Sequence, residues 1–252
     1  MIKPLVTKLK PASGVSYFLH LGLLVLLPIV VFVLVRTQFV QLALIIVLLS
    51  KWRMFAVRPR FWPAIVRANA VDIIVGLSIV LFMNHAGTAW LQLLWAAVYG
   101  AWLIYVKPAS GITMTSLQAM IGQLLGLSAI YLTWSAAPLA GLVAATGLIC
   151  YLAARHFFDS FDEAYSRLLA YLWAYFGAAL AWLLGHWLLF YAHGIIAQPT
   201  LILSILGYGL AALYYFDHAD RLSVMLRRQF IFIIVAILFV VLTFSDWGDK
   251  VV

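Results

Sequence analysis

Long apolar runs separated by short polar stretches make up nearly the whole chain, and the run lengths predict its elements. About 20 mostly apolar residues cross roughly 30 Å of hydrocarbon as a helix that satisfies its own backbone hydrogen bonds. Nine runs read as spans on that basis: 15–35, 39–50, 70–83, 89–106, 112–134, 139–154, 168–191, 200–216 and 229–244. The first contains Pro28, which predicts a kink. The second is short, and Trp52 and Phe55 extend it at the interface while Lys51 snorkels to water. Its link to the first, Arg36 to Gln38, is tight enough for a re-entrant hairpin. The expected fold class is an all-α polytopic bundle of nine transmembrane helices, one domain over 1–252.

Composition removes the alternative of a soluble fold. Apolar residues fill 66% of 252 positions and charged residues 10%, where soluble domains have roughly 45–50% and about 25%. A soluble fold of this length could not hide so much apolar surface. The net charge of +8 would suggest nucleic acid in a soluble protein. Here the basic residues sort by loop, and no nucleic-acid partner is expected.

The stretch 51–67, KWRMFAVRPRFWPAIVR, carries Lys51, Arg53, Arg58, Arg60 and Arg67 without one acid. With the N-terminus inside, this loop shares the cytoplasmic face with Lys3, Lys8, Lys10, Lys107, Arg155, Arg167, Arg221, Arg227 and Arg228. Only Arg36 and Lys250 fall outside, so 14 of 16 basic residues obey the positive-inside rule. The expectation is N-in, C-out, in the cytoplasmic membrane. The first run is longer than a signal peptide's apolar region and no small-residue cleavage site follows it, so it reads as a retained span. The single Cys150 excludes an intrachain disulfide and reads as a packed thiol.

Small residues four apart let membrane helices approach closely, and Gly122/Gly126, Gly141/Ala145, Gly177/Ala181 and Gly207/Ala211 are such pairs. Candidate chemistry is sparse. An ionisable group inside a span is costly, which singles out Asp72, expected to pair with an arginine of the neighbouring loop or to serve a site. The segment ARHFFDSFDEAYSR supplies His156, Asp159, Asp162 and Glu163. Were it helical, Asp159 and Asp162 would share a face with His156 before them, a spacing able to hold Mg²⁺ with substrate phosphates. Asp217, His218, Asp220 and Arg221 lie in the next loop on the same side. Bonding between loop acids and loop arginines is the plainer reading of both. His186, with His193 and His85, marks the outer face, and Gln118, Gln123 and Gln92 are neutral groups able to bond between helices.

The fragments Asn69-Ala-Val-Asp72 and Asp159-Ser-Phe-Asp162 resemble the aspartate motifs of the membrane aromatic prenyltransferase superfamily. That resemblance implies a prenyl diphosphate held through Mg²⁺ on two such motifs. Asp72 lacks a following aspartate, and Arg58-Pro59 precedes the third span instead of the first, which departs from the pattern. Three function classes follow. The leading expectation is a transporter or channel-like protein for a small solute or lipid. The alternatives are an Mg-dependent lipid or prenyl transferase at the cytoplasmic face, using Asp72, Asp159 and Asp162, and a non-catalytic assembly protein with membrane-protein partners or a second copy. No glycine-rich phosphate loop or nucleophile–base pair accompanies them.

Overall fold

The computed structural model describes residues 15–52, 58–134, 137–161, 163–187, 192–193 and 196–244. Helix α1 (Val15–Arg36) turns through Gln38, at a positive φ of 66°, into the short α2 (Val40–Leu49). A 3-10 turn at Pro59–Phe61 leads into α3 (Trp62–Ala68), which breaks at Asn69 and bends by 62° into α4 (Ala70–His85). Then come α5 (Ala89–Ala101), extended by a π turn over Trp102–Val106, α6 (Ile112–Thr133) and α7 (Leu139–Asp159). After α8 (Ser166–Trp187), a two-residue antiparallel pair, β1 (Ala192–His193) and β2 (Ile196–Ala197), precedes α9 (Gln198–His218) and α10 (Val224–Thr243).

Local chemistry sets these ends. Thr88 Oγ1 accepts the Leu91 N–H at 3.4 Å to start α5, and Ser223 Oγ accepts the Leu226 N–H at 3.1 Å to start α10. Pro59, Pro63 and Pro199 sit in first turns, where a missing N–H costs nothing. Helix α1 holds Pro28 in its interior.

Among the described residues, six helices are long and apolar enough to cross a membrane: α5 with its π turn, α6, α7, the Ser166–Gly185 part of α8, α9 and α10. The bent α3–α4 pair makes a seventh if it is one span, and the apolar stretches Gly22–Arg36 and Val40–Leu49 are shorter. An all-α membrane protein is therefore clear, while helix length alone falls short of the expected nine crossings. Helix α7 overruns its expected end at 154 to reach Asp159, and α10 starts at 224 instead of 229.

Helices α4 and α6 form the centre. Buried Val71, Val75 and Ile79 of α4 pack with Val31 and Val35 of α1, Val47 of α2 and Tyr99 of α5. On the other side, Leu127 and Tyr131 of α6 pack with Leu142 and Ile149 of α7 and Leu203 of α9. Glycine makes the approach possible: a Cβ on Gly122 would lie 2.8 Å from Val71, and one on Gly126 would lie 2.6 Å from Ile74. Gly177 meets the Cys150 thiol and Gly207 meets Gln123 in the same way, whereas Gly141 meets nothing within 4 Å. Three of the four small-residue pairs thus mark real contacts. Helix α10 packs on α9, with Gly209 under Ile234.

Candidate functional site: a basic end and an apolar cavity

Most of the ionisable side chains gather at one end of the bundle, where α2, α5, α7 and α9 finish and α4, α6 and α8 begin. Asp72, in the first turn of α4, is buried. Its Oδ2 accepts from the Lys51 ammonium and lies 2.8 Å from Lys107 Nζ, while Oδ1 accepts from the Trp102 indole N–H at 2.9 Å. Three helix ends are thereby tied to one carboxylate. The sequence reading expected an arginine partner for Asp72 and a Lys51 snorkelling to water. Instead both partners are lysines, and Lys51 is only 7% exposed. A buried carboxylate needs its countercharges at contact distance, and the π turn supplies one of them by presenting Trp102 and Lys107 together. The Tyr99 hydroxyl is buried close by without a hydrogen-bond partner among the described residues.

A second cluster joins α3, α7 and α8. Arg155 is buried, donates from Nη1 to Ser166 Oγ at 2.6 Å, and pairs through Nη2 with Asp159 Oδ1 at 2.8 Å. Arg67 reaches Asp159 Oδ2 only loosely, at 4.0 Å. Helix α7 stops at Asp159. Asp162 and Arg53 lie outside the described residues, as do the side chains of His186 and His193. His156 turns to Gln118, with Nε2 3.1 Å from Oε1, and Gln118 donates to the Val106 and Ala109 carbonyls.

Glu163 accepts from the Tyr214 hydroxyl and from the Tyr165 N–H at 3.2 Å, and these two donors hold its carboxyl below the usual glutamate range. The His218 ring lies 5.1 Å from Phe161 and stacks at 6.0 Å on Tyr214. Asp217 is exposed, with Arg227 at 4.0 Å. Arg58 caps the 3-10 turn, and Arg60 lies 4.6 Å over the Phe61 ring. Asp72 and Asp159 share no partner, and no three metal-ligating side chains assemble among the described residues. The transferase expectation required such convergence, because Mg²⁺ binds oxygen at about 2.0–2.1 Å.

The space in the bundle lies elsewhere. A cavity of about 580 Å³ opens among α6, α7, α8 and α9. Met120 and Gln123 of α6, Ala153 and Phe157 of α7, Trp173 and Phe176 of α8, and Gly207, Ala211 and Tyr214 of α9 line it. Three of its polar groups are paired: Gln123 donates to the Leu203 carbonyl at 3.1 Å and accepts from Trp173 Nε1 at 2.8 Å, and the Tyr214 hydroxyl donates to Glu163. The lining residues Leu172, Phe176, Tyr208 and Leu210 are exposed, so the cavity opens sideways between α8 and α9 instead of along the bundle axis. At the basic end, Phe157, Phe158 and Phe161 close it against Tyr214 with ring centres 5.1–5.8 Å apart.

None of the carboxylates singled out in the sequence lines this space. No known protein family, curated protein or solved structure matches the chain. What the chain can do must therefore be read from its own geometry. Gln123, expected from the sequence to bond between helices, does so to Leu203 of α9 and Trp173 of α8, with Gly207 letting it approach.

Proposed function

We propose that this integral membrane protein binds a lipid-like molecule in the cavity among α6–α9 and passes it between bilayer and cavity, as a transporter or channel-like protein of the cytoplasmic membrane. The observation that carries the reading is the cavity itself, about 580 Å³, apolar, and open toward the lipid-facing side. Ligand pockets typically measure about 300–1,000 Å³. With a lining that is almost wholly apolar, this one suits a hydrocarbon chain better than an ion or sugar. A side opening spares such a ligand any passage through water. A bundle closed throughout would have favoured an assembly role.

The same reading takes the chain as crossing nine times, N-in and C-out. The ion pairs at Asp72 support it: they hold the end of α2, the start of α4 and the end of α5 at one depth. Helix α2 has ten residues, about 15 Å, against sixteen, about 24 Å, for α4, so a crossing by α2 draws in the flanking residues from Phe39 to Lys51. The expected test result is a C-terminal reporter active outside and an N-terminal one inside; both ends in one compartment would end the nine-span reading.

For the cavity, Ala211→Trp fills the space beside Tyr214. A fluorescent fatty-acid probe should bind the purified wild type and bind A211W at least about tenfold more weakly, as loss of a mostly buried apolar contact of a few kcal/mol implies. Equal binding by both would overturn the assignment.

A further inference from the structure

We infer that the seam between α7 and α8, on the face away from the cavity, is a binding site for one anionic phospholipid of the leaflet at the basic end. The seam holds a groove of about 620 Å³, floored by Ala144, Gly147, Ala174 and Ala178, walled by Tyr171 and Tyr175, and running on to Leu139 and Trp182 at the far end. Small residues bring the helices together here: a Cβ on Gly147 would lie 3.2 Å from that of Ala178. The floor of α7 continues in helical steps of three and four from Ala144 through Gly147 and Tyr151 to Arg155. The wall of α8 continues one turn back from Tyr171 to Arg167. Tyr151 and Tyr171 stack at 5.0 Å where the groove meets the charges. Both stripes therefore end in arginine at the basic end, and α3 brings Arg67 to the same place.

Charge decides the occupant. Asp159 pairs through Oδ1 with Arg155, and Glu163 is turned away to Tyr214. Arg67 keeps only its 4.0 Å approach to Asp159, and Arg167 is exposed with no ion pair among the described residues. Two guanidiniums thus lie at the basic end of the seam, Arg67 only loosely paired and Arg167 unpaired among the described residues, and guanidiniums match phosphate oxygens in pairs. Basic pockets between spans at the cytoplasmic face suit anionic headgroups. One leaflet is about 15 Å deep, roughly ten residues of helix, so an acyl chain hung from Arg155 reaches Ala144 along the floor. Arg155 acts as a positioning residue, neutralising Asp159 so that Arg67 and Arg167 stay available. This site does not depend on the cavity proposed above, which opens on the other side of α7 and α8.

The test is native mass spectrometry of the full chain released from nanodiscs holding phosphatidylglycerol or phosphatidylcholine with identical chains. The wild type should retain one phosphatidylglycerol and discriminate against phosphatidylcholine about tenfold. R67Q/R167Q should erase that discrimination, and A144W, which adds bulk at an exposed floor position, should lower retention of both lipids. R227Q, on the far loop, should behave as wild type. Discrimination unchanged in R67Q/R167Q overturns the headgroup site. Retention unchanged in A144W, or competition by glycerol phosphate as strong as by the whole lipid, overturns the groove. Fatty-acid binding should survive in R67Q/R167Q, which separates this site from the cavity.

Discussion

Asp72 shows what one residue must do when it is charged and dry. Its carboxylate holds two lysines and an indole, and removing it leaves Lys51 buried without a countercharge. Asp72→Asn should cost about 3–5 kcal/mol, the usual penalty for breaking a buried pair from one side. It should appear as a large fall in the thermal unfolding midpoint in detergent. Lys107→Gln should cost clearly less, because Lys107 is about a third exposed and Lys51 remains to pair with the carboxylate. Equal losses in the two variants would show that the three groups do not share the burden this way. Glu163 works in the opposite regime, partly exposed and held by hydrogen bonds to its charged form. Its folded pKa is depressed, so its contribution is present above the unfolded glutamate value. That contribution is lost as pH falls through the lower folded value. Acidification below about pH 4.5 should therefore weaken the wild type more than Glu163→Gln. Parallel pH curves for the two would refute the tie to Tyr214.

Among elements, the α4–α6 contact depends on missing side chains. A Cβ on Gly126 would sit 2.6 Å from Ile74 and 3.1 Å from Ile149, with both neighbours fixed in the core. Gly126→Val should cost about 1–3 kcal/mol by forcing the helices apart, read in the unfolding midpoint. Gly141→Val, on a face that meets nothing within 4 Å, should stay within about 0.5 kcal/mol of wild type. These two glycines look alike in sequence, since each begins a small-residue pair. Only the packing separates them. The helices themselves were legible: the expected 89–106 and 112–134 fall within a residue of the α5–π segment and α6. Membrane helices announce themselves because lipid leaves the backbone no other way to bond. The exceptions lie where polar residues stay helical, as His156–Asp159 do at the end of α7 by bonding to Gln118, Ser160 and Arg155.

At the scale of the whole molecule, ion pairs gather at one end and an apolar space opens at the side. The cavity's lateral opening predicts a ligand route through the bilayer. A bulky residue at the opening, such as Leu172→Trp, should slow entry of the fatty-acid probe several-fold while changing its equilibrium affinity little. Stopped-flow fluorescence separates the two quantities, and an unchanged entry rate would argue for another route. The chain's sequence determined its class and where most of its helices run, because solvent preference and hydrogen-bond closure act along each segment separately. Which lysines meet Asp72, that Asp159 answers to Arg155, and that α6–α9 leave a space were decided only in three dimensions. Those outcomes depend on which side chains from distant helices arrive at the same depth, and linear spacing carries no record of that.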